Sequence, residues 1–286
     1  MTVYQPLNKY FFSKLFEFES LDIDEHKKKS ELLIQDILEI DKSDIYIKNY
    51  HIPYEKIEVL EAAFSKLKKN IPVQHILGKT SFYNYEFFTP PGTFIPRPDT
   101  ELIIDCIRND FPVLEKKNVL EVGSGTGCLS ISIAKLYKNF FVTGVDISKK
   151  AIQTSIINAK KLNCSNVQFI EKDFLNMNFN NHYDIVISNP PYISTNEIDS
   201  LDASVKNHDP FIALSDNKDG LSFYKFFINN INLFLKKGGI MYFEIPNSPA
   251  TESIIDLIEK NKKISSEIFK DFEGNNRVIK IYFNIK

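Results

Sequence analysis

The tetrapeptide Asn189-Pro190-Pro191-Tyr192 follows directly on Tyr183-Asp184-Ile185-Val186-Ile187-Ser188, a run that reads as a buried strand. Two adjacent prolines, Pro190 and Pro191, fix φ twice and remove two backbone donors, so the carbonyls there meet no local N–H competitors. The side-chain carbonyl of Asn189 and the backbone carbonyl of Pro190 can accept both N–H bonds of a planar –NH2 group, and the Tyr192 ring can lie against it. Such a nitrogen is a weak nucleophile because its lone pair is delocalised. Chemistry on it needs alignment and stabilisation of the charge that develops. Adenine amines, guanine amines and glutamine amides all fit that description.

A second constellation lies upstream. Glu121-Val122-Gly123-Ser124-Gly125-Thr126-Gly127 joins a strand pattern to a helix pattern, and its alternate glycines let the backbone turn sharply and approach a ligand where a Cβ would collide. Residues 123–127 are therefore expected to hold a small molecule. Asp146 ends the next strand nineteen residues after Gly127, where a carboxylate can accept from the vicinal hydroxyls of a ribose. At the third strand end, Asp173 is placed to accept from an exocyclic amine and Phe174 to pack on the face of an adenine. The glycine spacing discriminates between adenosine cofactors. A dinucleotide loop prefers Gly-x-Gly-x-x-Gly, with the pyrophosphate at the helix N-terminus, whereas Gly123-x-Gly125-x-Gly127 resembles the S-adenosylmethionine-dependent methyltransferase form. Asn189 would then face the sulfonium from the fourth strand end.

The elements that must position these residues are legible as periodicity. From Leu7 to about Leu67 apolar residues recur at helical spacing, so residues 1–78 are predicted to form a small helical domain. Residues 79–98 read as a hairpin turning near Asn84, followed by a linker framed by Pro90-Pro91-Gly92 and Pro96-Arg97-Pro98. Asp99-Thr100-Glu101 is expected to cap a helix through Cys106. Strands and helices then alternate. Strands are predicted at 119–122, 141–145, 167–170, 184–188, 240–245 and 278–283, and helices at 128–137, 149–162, 219–234 and 253–258. An α/β fold with a doubly wound, mostly parallel sheet over 99–286 follows, with sites at the carboxyl ends of its strands.

Composition narrows the function classes. Of 286 residues, 43% are apolar, enough for a real core, and a formal net charge of −2 with only short basic doublets argues against direct nucleic-acid binding. Cys106, Cys128 and Cys164 are far apart, with no Cys-x-x-Cys and no histidine at ligand spacing, so neither a disulfide nor a metal site is expected. Met1 to Phe18 has charged residues among its apolar ones, and no later run approaches a membrane span; a cytoplasmic monomer is the expectation. His75 and His208 are read as structural. Arg97 is expected to anchor either the substrate backbone or an acid of the protein.

Ile71-Pro72-Val73-Gln74-His75-Ile76-Leu77-Gly78, Phe82-Tyr83-Asn84-Tyr85-Glu86-Phe87, Ile95-Pro96-Arg97-Pro98-Asp99-Thr100-Glu101, the 121–127 loop and Asn189-Pro190-Pro191-Tyr192-Ile193 together resemble the release-factor glutamine methyltransferases of the PrmC or HemK type. Asp209-Pro210-Phe211-Ile212-Ala213-Leu214, Asp219-Gly220-Leu221 and Gly274-Asn275-Asn276-Arg277-Val278 extend the resemblance to the C-terminus. It implies a Rossmann-like class I methyltransferase domain and an N-terminal helical domain that grips a peptide chain release factor. The implied reaction is methylation of the glutamine amide in the Gly-Gly-Gln loop with S-adenosyl-L-methionine. Carried over by position, Gly123 to Gly127, Asp146, Phe174 and Asn189 would contact the cofactor, and Asn189, Pro190, Pro191 and Tyr192 the glutamine. A ribosomal-protein glutamine methyltransferase and a nucleic-acid amino-group methyltransferase are the alternatives. Asp99 and Asp209 stand where the family more often has Glu, Phe174 where some members have Trp, and Glu244-Ile245-Pro246-Asn247 where Glu-Ile-Gly is usual.

Overall fold

Helix α1 (Leu7–Phe16) opens the described chain, and the computed structural model describes residues 6–18, 23–47, 50–178 and 182–284. The first five residues of the Met1–Phe18 stretch thus lie outside the described residues. With α2 (Ile23–Leu38), α3 (Tyr54–Lys68) and α4 (Val73–Leu77), α1 forms a helical unit around Leu7, Phe11, Leu33, Ile34, Leu60 and Phe64. Pro53 and Pro72 precede α3 and α4, and α4 stops at Gly78, whose φ of 72° gives the left-handed C-cap that glycine adopts without strain. Residues up to Gly78 cluster with Ala203–His208 as one unit, and the rest of the chain from Lys79 forms the other.

The second unit begins with a hairpin, β1 (Lys79–Phe82) and β2 (Tyr85–Phe88). Tyr83 and Asn84 form its turn at φ 46° and 66°, two successive left-handed residues whose twist matches that of the strands. Helix α5 (Glu101–Asp110) leads to the sheet, made of β3 (Asn118–Val122), β4 (Phe141–Asp146), β5 (Val167–Glu171), β6 (Tyr183–Ser188), β7 (Leu235–Glu244), β8 (Ile264–Lys270) and β9 (Asn276–Phe283). Their order is β5-β4-β3-β6-β7-β9-β8, parallel through β7 and antiparallel at β9 and β8. Helices α6 (Cys128–Leu136) and α7 (Lys149–Lys161) make the first two crossovers. After α8 (Ala203–His208) and α9 (Phe211–Leu214) come α10 (Ser222–Asn229), α11 (Ile231–Phe234) and α12 (Ala250–Glu259).

Period-two alternation sorts the strand residues to two covered faces. Val119, Ile185, Ile187 and Tyr242 pack with Ile103, Ile107 and Leu129, while Leu120, Val186, Met241 and Phe243 pack with Phe227 and Ile254. Register then levels the strand ends. Val122 lies opposite both Val145 and Ser188, and Asp146 opposite Glu171, so the loops after four strands open at one edge. The Ser188 hydroxyl ties two of these ends by donating to the Val122 carbonyl at 2.7 Å.

Three local expectations are corrected. The helix predicted over 219–234 is broken at Asn230 into α10 and α11. Strand β8 was not expected, because Ser265, Ser266 and Glu267 are exposed on an edge strand and show no apolar alternation. Thr100 precedes α5 but makes no cap hydrogen bond; a 3-10 turn over Pro98–Thr100 leads into the helix, and the Thr100 hydroxyl points elsewhere.

Candidate active site

At the common strand edge lies a cavity of about 450 Å³, lined by Gly123, Gly125, Asp146, Asp173, Phe174 and Asn189 among others. The three loop glycines, all at positive φ, are required for different reasons. A Cβ on Gly125 would meet nothing within 4 Å, and one on Gly123 only the Asn189 carbonyl at 3.9 Å, so both leave open space on the cavity side. Gly127 does not line the cavity. A Cβ there would sit 2.8 Å from Phe169 Cζ and from Ser155 Cβ, so this glycine permits helix packing. Ser124 and Thr126, also expected to touch the ligand, are buried and do not line it either. The loop is anchored from behind by Asn158, whose amide donates to the Thr126 carbonyl at 2.9 Å and to the Phe88 carbonyl at 3.0 Å.

Glycine at position 127 leaves α6 without a capping side chain, and Glu121 supplies one from β3. Its carboxyl accepts from the Ser130 backbone N–H at 3.0 Å and from the Ser130 hydroxyl. Burial pushes the Glu121 carboxyl up to about 8 against the stabilising pull of Ser130. An acid whose pKa is raised on folding takes up a proton, so the stability linked to it is full below the unfolded value near 4.5 and is lost as pH rises towards 8. Glu121→Gln keeps an acceptor and removes the titration. Denaturant unfolding from about pH 5 to 8 is expected to show a slope shallower than the parent's by up to about 1.4 kcal/mol per pH unit. Parallel slopes would mean that Glu121 does not titrate in this window.

Asp146 ends β4 with one carboxylate oxygen accepting from Gly125 N–H at 2.8 Å and the other from Ser148 N–H at 2.9 Å. Ser148, the N-cap of α7, accepts from Ala151. Each Asp146 oxygen keeps a lone pair for a hydroxyl donor in the cavity. Its pKa is raised by burial and held back by these amides. Asp173 caps the 3-10 turn 174–176 through Leu175 N–H at 3.0 Å and Asn176 Nδ2 at 2.7 Å. Phe174 is buried between the rings of Phe226, Phe227 and Phe234 and lines the cavity from that fixed position.

Asn189, Pro190 and Pro191 line the same cavity; Tyr192 does not. The Tyr192 phenol instead donates towards Glu244 at 3.4 Å, and burial, aided by Glu244, holds its pKa far above the ordinary phenol value. Asn189 Nδ2 donates to Thr100 Oγ1 at 3.0 Å, and Thr100 Oγ1 donates to Glu244 Oε2 at 2.5 Å. Arg97 also stands off the cavity. Its Nη2 donates to the buried Asp209 at 2.6 Å and its guanidinium lies over Phe94, so of its two expected partners the acid of the protein is the one observed. The segment after the hairpin, read from sequence as a linker, contributes Gly92, Thr93 and Phe94 to the cavity wall.

Thr100, Glu244, Asn158 and Gly220 were missed as supports of this site. Thr100, Glu244 and Gly220 all lie in stretches that bear on the family resemblance, but their spacing shows no link to the site: Thr100 reaches Asn189 and Glu244 across 89 and 144 residues, and Asn158 reaches the loop through the Thr126 carbonyl. Among the described residues no cluster of His, Cys, Asp and Glu could hold a metal, and no helix is long and apolar enough to cross a membrane.

A glycine cradle open to the cavity, an acid with free lone pairs at the second strand end and a buried aromatic ring at the third fit an S-adenosyl-L-methionine pocket. Fold and site together define a class I S-adenosylmethionine-dependent methyltransferase. Residues 114–281 match the family described as "Methyltransferase domain" and residues 16–78 the "PrmC N-terminal domain". The release factor glutamine methyltransferase of Fusobacterium nucleatum is 36% identical over 282 residues, covering 93% of this chain and 79% of that protein. That of Bacillus subtilis is 39% identical over 219 residues, covering 74% and 75%. A solved ribosomal protein L11 methylase from Lactobacillus delbrueckii aligns with a TM-score of 0.48 at 17% identity, over 68% of this chain and 82% of that one. The chain belongs to the release factor glutamine methyltransferase family.

Proposed function

We propose that the protein transfers a methyl group from S-adenosyl-L-methionine to the side-chain amide nitrogen of the glutamine in the Gly-Gly-Gln motif of peptide chain release factors. The observation that carries this is the meeting, in one cavity, of Gly123, Gly125 and Asp146 with Asn189 and Pro190, in a chain of the glutamine-methylating family. When bound, S-adenosyl-L-methionine would supply an electrophilic methyl group on a sulfonium; as the N–C bond forms the S–C bond breaks, its electron pair stays on the neutral thioether that leaves, and one amide proton passes to solvent. Asp146 would accept from its ribose hydroxyls, and Asp173 and Phe174 would hold its adenine. Asn189 Oδ1 and the Pro190 carbonyl accept the two amide N–H bonds and stabilise the positive charge that builds on the nitrogen. Alignment rather than deprotonation provides the acceleration, because the nitrogen becomes acidic only as the new bond forms. Tyr192 remains a neutral phenol and acts by shape and by its bond to Glu244.

The helical unit is read as the grip on the release factor, and the net charge of −2 favours a protein acceptor over a nucleic acid. Labelled methyl transfer to a bacterial-type release factor tests the assignment. Transfer is expected to the wild-type factor and to vanish when the Gly-Gly-Gln glutamine becomes alanine. Equal labelling of that variant would sink it.

A further inference from the structure

We infer that Thr100 and Glu244 are positioning residues which set the direction faced by the Asn189 carboxamide, and that Glu244 must be ionised for the productive direction. The inference rests on the methyl-transfer reading above and extends it to two residues with no access to substrate.

Hydrogen counting makes the case. A threonine hydroxyl has one proton and two lone pairs. That of Thr100 directs its proton to Glu244 Oε2 at 2.5 Å, so towards Asn189 it can only accept. The Asn189 group 3.0 Å away must therefore be the –NH2, which leaves Oδ1 for the cavity and for the N–H of an incoming amide. Thr100 stands at an N-cap position, where a threonine side chain usually serves its own helix, yet makes no cap bond. Its hydroxyl is committed to the relay.

Protonation of Glu244 undoes the arrangement. The carboxyl then needs an acceptor, and Thr100 Oγ1 is beside it; the Thr100 proton turns to Asn189. The carboxamide flips to accept it, and an –NH2 group faces the incoming –NH2. Donor against donor leaves a buried polar group unpaired, worth about 1–3 kcal/mol, or roughly 5- to 150-fold in rate.

The surroundings hold Glu244 near this switch. Its side chain is 1% exposed at the end of β7. From β9 Arg277 faces it, shared with Asp99 at 3.2 Å and Asp271 at 3.1 Å; from the turn before α5 come Asp99 and Thr100. The Tyr192 phenol approaches from the β6 loop, Arg97 acts on Tyr192 from the 79–98 stretch, and Tyr224 of α10 donates to the Glu244 backbone carbonyl at 2.6 Å. Burial raises the carboxyl most, Thr100 and Arg277 pull it down and Asp99 pushes it up, leaving it at about 7.

The test is steady-state methyl transfer from labelled S-adenosyl-L-methionine to a release factor across about pH 5.5 to 8.5, with cofactor affinity measured by calorimetry. In the wild type kcat is expected to fall below about pH 7, approaching tenfold per unit until the floor set by the flipped state. Thr100→Val is expected to lower kcat about 10- to 100-fold at pH 8, with KM and cofactor affinity within about threefold, and Thr100→Ser to restore most of it. Glu244→Gln is expected to lose the acidic inflection. Undiminished kcat in Thr100→Val, loss of cofactor affinity alongside kcat, no recovery with serine, or an inflection that persists in Glu244→Gln would each overturn the inference. No labelling by the wild type would overturn this reading and the proposed function together; normal wild-type labelling with unaffected variants would overturn this one alone.

Discussion

Asn189→Ala is expected to lower turnover by about 10²- to 10³-fold while leaving S-adenosyl-L-methionine affinity within a few-fold, the range found when one preorganised group is removed from a developing charge. The contrast follows from where the side chain stands. Asn189 lines the cavity at the end of β6, but its amide is held by Thr100, not by the glycine loop, so alanine removes an acceptor for substrate without loosening residues 123–127. Asp146→Ala should behave in the opposite sense. It removes a charged acceptor and releases the amides of Gly125 and Ser148, so cofactor affinity is expected to fall by about 10- to 100-fold. Turnover at saturating cofactor should stay within a few-fold. Calorimetry for binding and labelled transfer for turnover separate the two. Cofactor binding lost in Asn189→Ala, with turnover per bound cofactor intact, would refute the role given to Asn189.

Gly220→Ala is expected to damage both stability and turnover, although residue 220 does not line the cavity. A Cβ at this position would lie 2.1 Å from the Tyr192 carbonyl oxygen, and the φ of 76° is strained for any L side chain. Neither partner can yield easily. The Asp216 carboxylate gathers the backbone N–H groups of Lys218, Gly220 and Ser222 at 2.9–3.0 Å, and Tyr192 follows two prolines that transmit any displacement to the Pro190 carbonyl. A loss of about 2–4 kcal/mol in unfolding free energy is expected, with at least tenfold lower turnover. Gly274→Ala separates strain from collision. Gly274 has a similar φ of 86° with nothing within 4 Å, so its substitution should cost only about 1 kcal/mol. Equal losses at the two positions, by denaturant unfolding, would show that the Tyr192 contact contributes nothing.

The relation of sequence to site is clearest in the glycine loop. Three glycines in seven residues announced a tight turn, because local backbone freedom is a property of the residues themselves. Which of them face a ligand was not local information. Gly127 looks the same as Gly125 in the chain and differs only because Phe169 and Ser155 close on it from other elements. Arg97 behaves similarly. Its place between two prolines suggested a fixed side chain, yet its partner Asp209 lies 112 residues away and could be identified only in three dimensions. Strand β8 leaves no periodic signal because an edge strand exposed to solvent needs no apolar alternation, and the break at Asn230 leaves none because helical periodicity continues across it.

Sequence alone determined the alternation of strands and helices from β3 to β6, the hairpin at Asn84, the stiff Asn-Pro-Pro-Tyr turn after β6 and the family to which the chain belongs. These are written in short-range spacing, in conformational limits of proline and glycine, and in motifs whose residues are neighbours in the chain. Tertiary structure alone decided how Asn189 is oriented. Thr100 looked like a helix cap and Glu244 like the end of a strand, and they become a relay because parallel pairing of β6 with β7 brings Ser188 opposite Phe243 and so sets Asn189 beside Glu244. A hydrogen-bond direction depends on every donor and acceptor within reach, and those were assembled from three distant parts of the chain.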